Sequence, residues 1–240
     1  MKLTPSTSMV SIYVGLGSNL GDREFNLHTA AEQIGSLGLV LVRSSSIYET
    51  EPVGYQDQPW FLNQVVELAL RPEVEVISDQ GELAACGRTQ SLRTSASSAA
   101  GESPEEIPRQ KTKRYEDEDL PEKQGQIRED SSGLLLQAEA LLCALLKIEA
   151  AMGRERQMPN GPRVIDTDLL FFGDLIVGFH SGDGQKPGYL IVPHPRMHLR
   201  RFVLEPLCEI APDLVHPVFG KRCRELLAAV DDKSVVRRYA

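Results

Sequence analysis

From Pro72 to Gly133 the chain carries 14 acidic and 8 basic residues, a single aromatic, Tyr115, and the patch Ser95-Ala96-Ser97-Ser98-Ala99-Ala100. So few large apolar side chains cannot bury enough surface to offset the entropy of ordering the segment. Residues 72–132 are therefore expected to be an acidic low-complexity insertion without fixed structure. Any core has to be assembled from 10–71 and 133–240, as one domain, with 1–9 as a flexible leader. The two pieces are long enough for one core, and loop-closure cost grows slowly enough with length for the fold to tolerate the interruption.

Charge narrows the partners. With 26 basic and 34 acidic residues the net charge is -8, so a broad basic surface for duplex nucleic acid is not expected. Anionic small molecules need only a local cluster. Cys86, Cys143, Cys208 and Cys223 are far apart and form no CxxC pair, which gives neither zinc-site spacing nor a disulfide scaffold. No run of 18 apolar residues occurs, and the opening MKLTPSTSMV lacks the apolar stretch of a signal peptide. A cytoplasmic protein with no membrane contact is expected.

Outside the acidic segment the hydrophobic pattern switches between periods of two and 3.6. Val10, Ile12 and Val14 lie two apart and lead to Gly15, Gly17, Ser18 and Asn19, which reads as a strand entering a tight turn. Leu27, Ala30, Ala31 and Ile34 predict a helix from about Asp22, stopped by Gly35 and Gly38. Leu39–Tyr48 and Phe61–Leu70 read as strands, separated by a loop containing Pro52, Gly54 and Pro59. Apolar residues at 138, 141, 142, 145, 148 and 152 predict a long amphipathic helix ended by Gly153. Val164–Phe172 comes next as a fourth strand, with Leu175–Val177 as a short fifth. Helical segments are expected at Pro195–Ile210 and Cys223–Val230. This β-α-β-β-α-β order predicts an α+β fold of the ferredoxin-like split βαβ kind, a mainly antiparallel sheet covered by helices on one face.

The segment from Asn160 to Phe172 carries the strongest chemical signal. Asp166 and Asp168, two apart on a strand otherwise made of Val, Ile, Leu and Phe, leave the same face with Cα atoms roughly 6.6 Å apart. Two carboxylates brought to about 4 Å repel by roughly 4 kcal/mol at an effective dielectric near 20. A divalent cation pair, Mg²⁺ above all, relieves that cost. The plain alternative is a solvated strand face, since such triplets are common, but a central strand seldom spends two inward positions on unpaired charge. Arg163 stands just upstream after Pro162 and can reach phosphate oxygens. Glu149, Arg154 and Arg156 flank the helix break at Gly153 and lead into the same segment; cations complementing a helix C-terminus would explain Arg154 equally well but not Arg163. His194, Arg200 and Arg201, in the polar run Pro193–Phe202, add a third cationic wall, with His198 read as structural.

Two nucleotide-binding motifs are missing. The Gly15–Gly21 turn is one residue off the dinucleotide fingerprint and has no acidic partner strand, and Gly220-Lys221 is no Walker A. Phosphates would then be held by arginines and metal. Asn63, beside Trp60 and Phe61 and after a Pro/Gly loop, suits a flat heterocycle, although both aromatics could equally be core.

Taken in order, YVGLGSNLGDRE, YETEPVGYQDQPWFLNQVVEL, IEAAMGRER, NGPRVIDTDLLFFGD and VPHPRMHLRRFVLEPLCEIAP resemble the 6-hydroxymethyl-7,8-dihydropterin pyrophosphokinases of folate biosynthesis. The resemblance covers nearly all of the chain outside the leader and the insertion. It implies transfer of pyrophosphate from ATP to the pterin hydroxymethyl, with AMP released, through a split βαβ fold. It further implies that Asp166 and Asp168 hold two Mg²⁺, that Arg154, Arg163 and Arg200 meet phosphates, and that Glu149 and His194 face the nucleotide. Arg154, Arg163 and Asp168 would carry catalysis, Asp168 also helping to draw off the hydroxyl proton. Thr50, Val53, Phe61, Asn63 and Phe202 would form the pterin pocket, Asn63 reading the ring edge between Phe61 and Phe202. Asn160 and Pro195 stand where some members carry aromatics, so adenine stacking there is not implied. The acidic insertion is also absent from compact members. A monomer acting on these two small molecules is expected. Another Mg²⁺-dependent nucleotidyl transferase would share the acids but lack the pterin pocket, and an RNA-binding sheet would expose basic and aromatic strand faces.

Overall fold

The computed structural model describes residues 9–70, 132–154, 161–178 and 190–240. Of the expected leader 1–9 and insertion 72–132 only Met9 and Ser132 are described, Ser132 as the start of a helix; the rest of both, like Arg156 and Asn160, lies outside the described residues. The elements run β1 (Val10–Ser18), α1 (Arg23–Gly35), β2 (Val40–Ser44), β3 (Tyr48–Thr50), β4 (Phe61–Leu70), α2 (Ser132–Ala151), β5 (Asp166–Phe172), a 3-10 turn (Met197–Leu199), α3 (Arg201–Ile210), α4 (Cys223–Ala229) and β6 (Val236–Arg238).

The strands form one sheet in the order β5-β1-β4-β3-β6, with β2 also pairing β4. Every pairing is antiparallel. Because β1 and the β2–β3 edge are each antiparallel to the β4 that separates them, they are parallel to one another across it, which is the split βαβ arrangement. The α+β fold is therefore the one the periodicity implied.

Helices cover both faces of the sheet rather than one. Strand β4 is buried at nine of its ten positions, so its two sides each need a partner layer. Ile12, Val14, Leu16, Leu62, Val66 and Leu68 pack against Leu27 and Ile34 of α1 and Leu141, Leu145 and Ile148 of α2. On the opposite face Tyr13, Val65 and Phe171 pack against Leu204 and Leu207 of α3 and Cys223 and Leu226 of α4. Each fully buried Leu or Ile in these layers contributes roughly 1.5–3 kcal/mol. The charge on buried Glu67 is satisfied by the Tyr13 hydroxyl at 3.1 Å and by Arg43 at 2.6 Å.

Three local expectations change, and one strand is new. The glycine-rich stretch is no turn: β1 runs on through Gly15, Gly17 and Ser18 because it has a partner on both sides, Asn63 and Asp166 lying opposite Gly17. The predicted Leu39–Tyr48 strand is cut in two at Ser45, whose Oγ accepts from the Val65 N–H at 3.0 Å and donates to the Ser46 carbonyl at 2.7 Å. That local bonding competes with the ladder. Leu175–Val177 forms no strand; Val177 makes an isolated bridge to Val192, and Gly178 turns the chain at φ +62°. Strand β6 has no signal in the sequence.

Two helix ends place the loops around β5 and β1. Asp22 caps α1 by accepting from the Phe25 N–H at 3.1 Å. At the end of α2, Gly153 takes φ +87°, which L side chains resist, and the reversal returns Arg154 toward β5.

Candidate active site

Cross-strand register assembles the site. Gly17 lies opposite Asp166 on one side and Asn63 on the other, and Gly15 lies opposite Asp168 and Val65. Side chains alternate along a strand, so both aspartates and Asn63 rise from one face above a floor where β1 offers no side chain. The Gly17 position is tightly constrained, since a Cβ there would stand 2.9 Å from Asn63 Oδ1. Helix α3 covers one end of this face and leaves the other as a cavity of about 330 Å³. Asp166, Asp168, Arg163 and Arg200 line it together with Thr50, Val53, Phe61, Asn63 and Phe202.

Three arginines, with His194 beside them, surround the acids. Asp166 Oδ1 meets Arg154 Nη1 at 2.6 Å, and its Oδ2 lies 3.2 Å from Arg163 Nε. Asp168 faces Arg200 at 3.8 Å and His194 Nε2 at 3.9 Å. Burial pushes the Asp166 carboxyl up, and the charge of Asp168 adds to it, against the pull of Arg163 and Arg154. Burial acts on Asp168 too, but His194 and Arg200 outweigh it and hold that carboxyl below the usual range. Burial lowers His194 despite the neighbouring Asp168. The pair is thus split, with Asp168 the more firmly ionised member.

Asn63 is 8% exposed, and its Nδ2 donates to Thr50 Oγ1 at 2.7 Å, which fixes the amide's orientation and turns Oδ1 toward the Gly17 floor. Arg163 stacks over Phe61 with 5.1 Å from guanidinium to ring centre, and Arg200 over Phe202 at 5.5 Å. Cationic and aromatic walls are therefore built from the same side chains.

The structure sets Glu149, Arg154 and His194 just behind the cavity rather than on its lining. Glu149 is 3% exposed. Its Oε1 accepts from the Thr167 N–H and hydroxyl at 2.7 and 3.0 Å, and its Oε2 pairs with Arg154. Burial raises its carboxyl in spite of those contacts. It locks β5 and Arg154 in place beside the aspartates. His198 packs on Phe219 with ring centres 4.5 Å apart, as a structural residue does.

Sequence reasoning misses two contributors. Arg196 joins the cavity lining; its membership of the cationic run around His194 is the available signal. Asn19 joins three loops: its Oδ1 accepts from the Arg163 N–H at 2.8 Å, while its Nδ2 donates to Gln58 Oε1 and the Pro59 carbonyl, each at 3.0 Å. No local pattern announces such a role.

Among the described residues no three His, Cys, Asp or Glu side chains converge, so a metal caged by protein ligands alone is not formed there. Two carboxylates open to a cavity suit a hard cation that completes its shell with phosphate and water. Arg163 Nε lies beside Asp166 Oδ2 at 3.2 Å without the geometry of a hydrogen bond. No helix among the described residues is long and apolar enough to cross a membrane.

Comparison with known proteins adds to this geometry. A folic acid synthesis protein of Pneumocystis carinii is 30% identical over 88% of the chain, which spans 19% of that protein. The 2-amino-4-hydroxy-6-hydroxymethyldihydropteridine pyrophosphokinase of Methylorubrum extorquens is 30% identical over 95% of the chain and 99% of its own length. A crystal structure of a Plasmodium falciparum HPPK-DHPS variant with pterin and p-hydroxybenzoate superposes with a TM-score of 0.50 at 13% identity; the match covers 94% of this chain and 44% of that one. The likeness extends to the fold. The 7,8-dihydro-6-hydroxymethylpterin-pyrophosphokinase (HPPK) family model matches residues 13–94 and 131–212, the segments that bear Gly17, Asn63, Asp166 and Arg200, and the chain belongs to that family.

Proposed function

We propose that this chain transfers the β,γ-diphosphoryl group of ATP to the hydroxymethyl oxygen of 6-hydroxymethyl-7,8-dihydropterin, giving the pterin diphosphate and AMP. The observation that carries this reading is the single cavity in which Asp166 and Asp168 share a floor with Asn63. Phosphate chemistry and ring recognition then lie side by side.

Two Mg²⁺ ions held by Asp166 and Asp168 would supply charge neutralisation for the triphosphate. The protein's own part is placement. Arg163, Arg200 and Arg154 draw the phosphate oxygens, and His194 borders the nucleotide end of the cavity beside Asp168. Thr50 and Asn63 hold the pterin edge, with Phe61, Phe202 and Val53 closing over its faces. In that pose the hydroxyl oxygen attacks the β-phosphorus in line. The bond from that phosphorus to the bridging oxygen breaks, and AMP leaves with the oxygen. Asp168, held ionised, accepts the hydroxyl proton.

Purified protein incubated with ATP, Mg²⁺ and hydroxymethyl-dihydropterin should yield AMP and pterin diphosphate by mass spectrometry. ADP as the nucleotide product, or no pterin-dependent turnover, would overturn the reading.

The reading includes a dispensable segment and a cytoplasmic monomer. Support is confined to 95–130, since the family match breaks off at 94 and resumes at 131, while residues 72–94 of the expected insertion lie inside it. Cys208 and Cys223, free thiols, are consistent with a reducing compartment. Deletion of residues 95–130 should change stability by about 1 kcal/mol or less, because loop closure depends weakly on length. Turnover should be retained, and urea unfolding with the coupled AMP assay checks both.

A further inference from the structure

The 231–239 segment touches opposite walls of the cavity. At one wall, Arg200 supplies α3 with no side-chain cap; Asp232 takes over, its Oδ2 accepting from the Arg201 N–H at 2.9 Å. That bond anchors the start of the helix on which Arg200 and Phe202 stand. The same carboxylate accepts from the Ser234 N–H through Oδ1 at 3.0 Å and turns the chain.

Three residues further on the segment binds the other wall. The Glu51 N–H donates to the Val235 carbonyl at 3.2 Å, and the Val235 N–H donates to Glu51 Oε2 at 2.8 Å. Strand β6 then pairs with β3, Val236 opposite Thr50, and Thr50 is the residue that orients Asn63. Arg237 clasps Glu49 at 2.6 Å and lies 5.0 Å over Trp60. Arg23 reaches the same Glu49 at 3.1 Å and the Trp60 carbonyl at 2.8 Å. The loop between β3 and β4, which carries Val53, is thereby held at both ends.

The chain from Asp232 to Val235 can span at most about 10 Å even when fully extended, so two anchored ends cannot separate further without breaking one anchor. We propose that residues 231–239 are a strap of fixed length that sets the width of the pterin slot, with Asp232 as a positioning residue acting through the start of α3. The inference rests on the pyrophosphokinase reading and deepens it. Neither Asp232 nor Arg237 lines the cavity, so their effect on the substrate is indirect. The strap joins the Phe202 wall to the Thr50–Val53 wall, so its loss should widen the ring slot while the aspartates and Arg163, held by Glu149 and Asn19, stay in place.

The experiment is a kinetic comparison of wild type, Asp232→Ala, Asp232→Asn and Arg237→Ala, with melting curves and a fluorescence titration of hydroxymethyl-dihydropterin. Asp232→Ala should raise the pterin KM about tenfold, equivalent to about 1.4 kcal/mol, with a clearly smaller rise in the ATP KM through Arg200, which stands at the same helix start. Asp232→Asn keeps one acceptor and should recover most of the affinity. A purely structural residue would instead lower active enzyme for both substrates alike, following the melting midpoint. Unchanged pterin KM in a folded Asp232→Ala protein, or equal increases for both substrates, overturns the strap. Wild-type protein that neither binds pterin nor releases AMP overturns the pyrophosphokinase reading and the strap with it.

Discussion

Asp166→Ala and Asp168→Ala should each lower kcat by about a thousandfold or more, the scale of losing a principal electrostatic contribution to phosphoryl transfer. The two substitutions act differently on the surrounding charges. Asp166 neutralises Arg154 and Arg163 through both oxygens, so its removal leaves Arg163 without that carboxylate and Arg154 with Glu149 alone, and should slacken their grip on phosphate geometry. Asp168 is opposed by Arg200 and His194 at longer distances, so its removal should disturb the apo site less. Folding should suffer little in either case. Burial and carboxylate repulsion already strain Asp166, and relieving them offsets part of the lost ion pairing. Steady-state kinetics with both substrates saturating, over a range of Mg²⁺ concentrations, checks the prediction. If both variants kept turnover within tenfold of wild type, the metal assignment would fail. Asp168→Asn is the sharper variant, since it preserves volume and removes the charge. With the Asp168 carboxyl held below the usual range, the wild-type rate should not decline on its account until pH falls below the ordinary carboxylate region.

The acid pair is legible in the sequence because its signal is local: two carboxylates at strand spacing inside an apolar run face the same way whatever surrounds them. Strand β4 is legible for the same reason, an apolar run from Phe61 to Leu70 broken only by Asn63, Gln64 and Glu67. Gly15 and Gly17 mislead because a glycine run states only that no side chain is present. Whether that absence serves a turn or a floor depends on Asn63 and Asp166, one strand away on either side. For Glu149 the sequence shows only that it stands near Arg154 at the end of a helix. Its actual contacts to Thr167 are set by how α2 lies over β5, which periodicity does not encode. Strand β6 is the extreme case. Val236–Arg238 has no alternation to read, and it is a strand only because β3 offers an open edge. The second helical layer escapes a reading by element order although β4 signals it, since a strand apolar on both faces requires cover on both.

Asn63→Ala should weaken hydroxymethyl-dihydropterin binding by about a hundredfold or more while ATP affinity stays near wild type. A site that reads a heterocycle through buried polar groups loses more than the bond energy when one is removed, because both the substrate edge and the protein partner are left unpaired in a dry pocket. Here the stranded partner is Thr50, fully buried, whose hydroxyl accepts from Asn63 Nδ2. ATP should be insensitive because its cationic ring, Arg163, Arg200 and Arg154, is anchored by Asn19, Asp166 and Asp168 rather than by Asn63. Gly17→Ala gives a second test without deleting the amide. Its Cβ would stand 2.9 Å from Asn63 Oδ1, so the amide must shift by several tenths of an ångström and lose its alignment. The affinity should fall between those of wild type and Asn63→Ala. Isothermal titration with each substrate separately distinguishes the outcomes. Equal losses for ATP and pterin would show that Asn63 supports the whole cavity, and the assignment of ring recognition to it would be wrong.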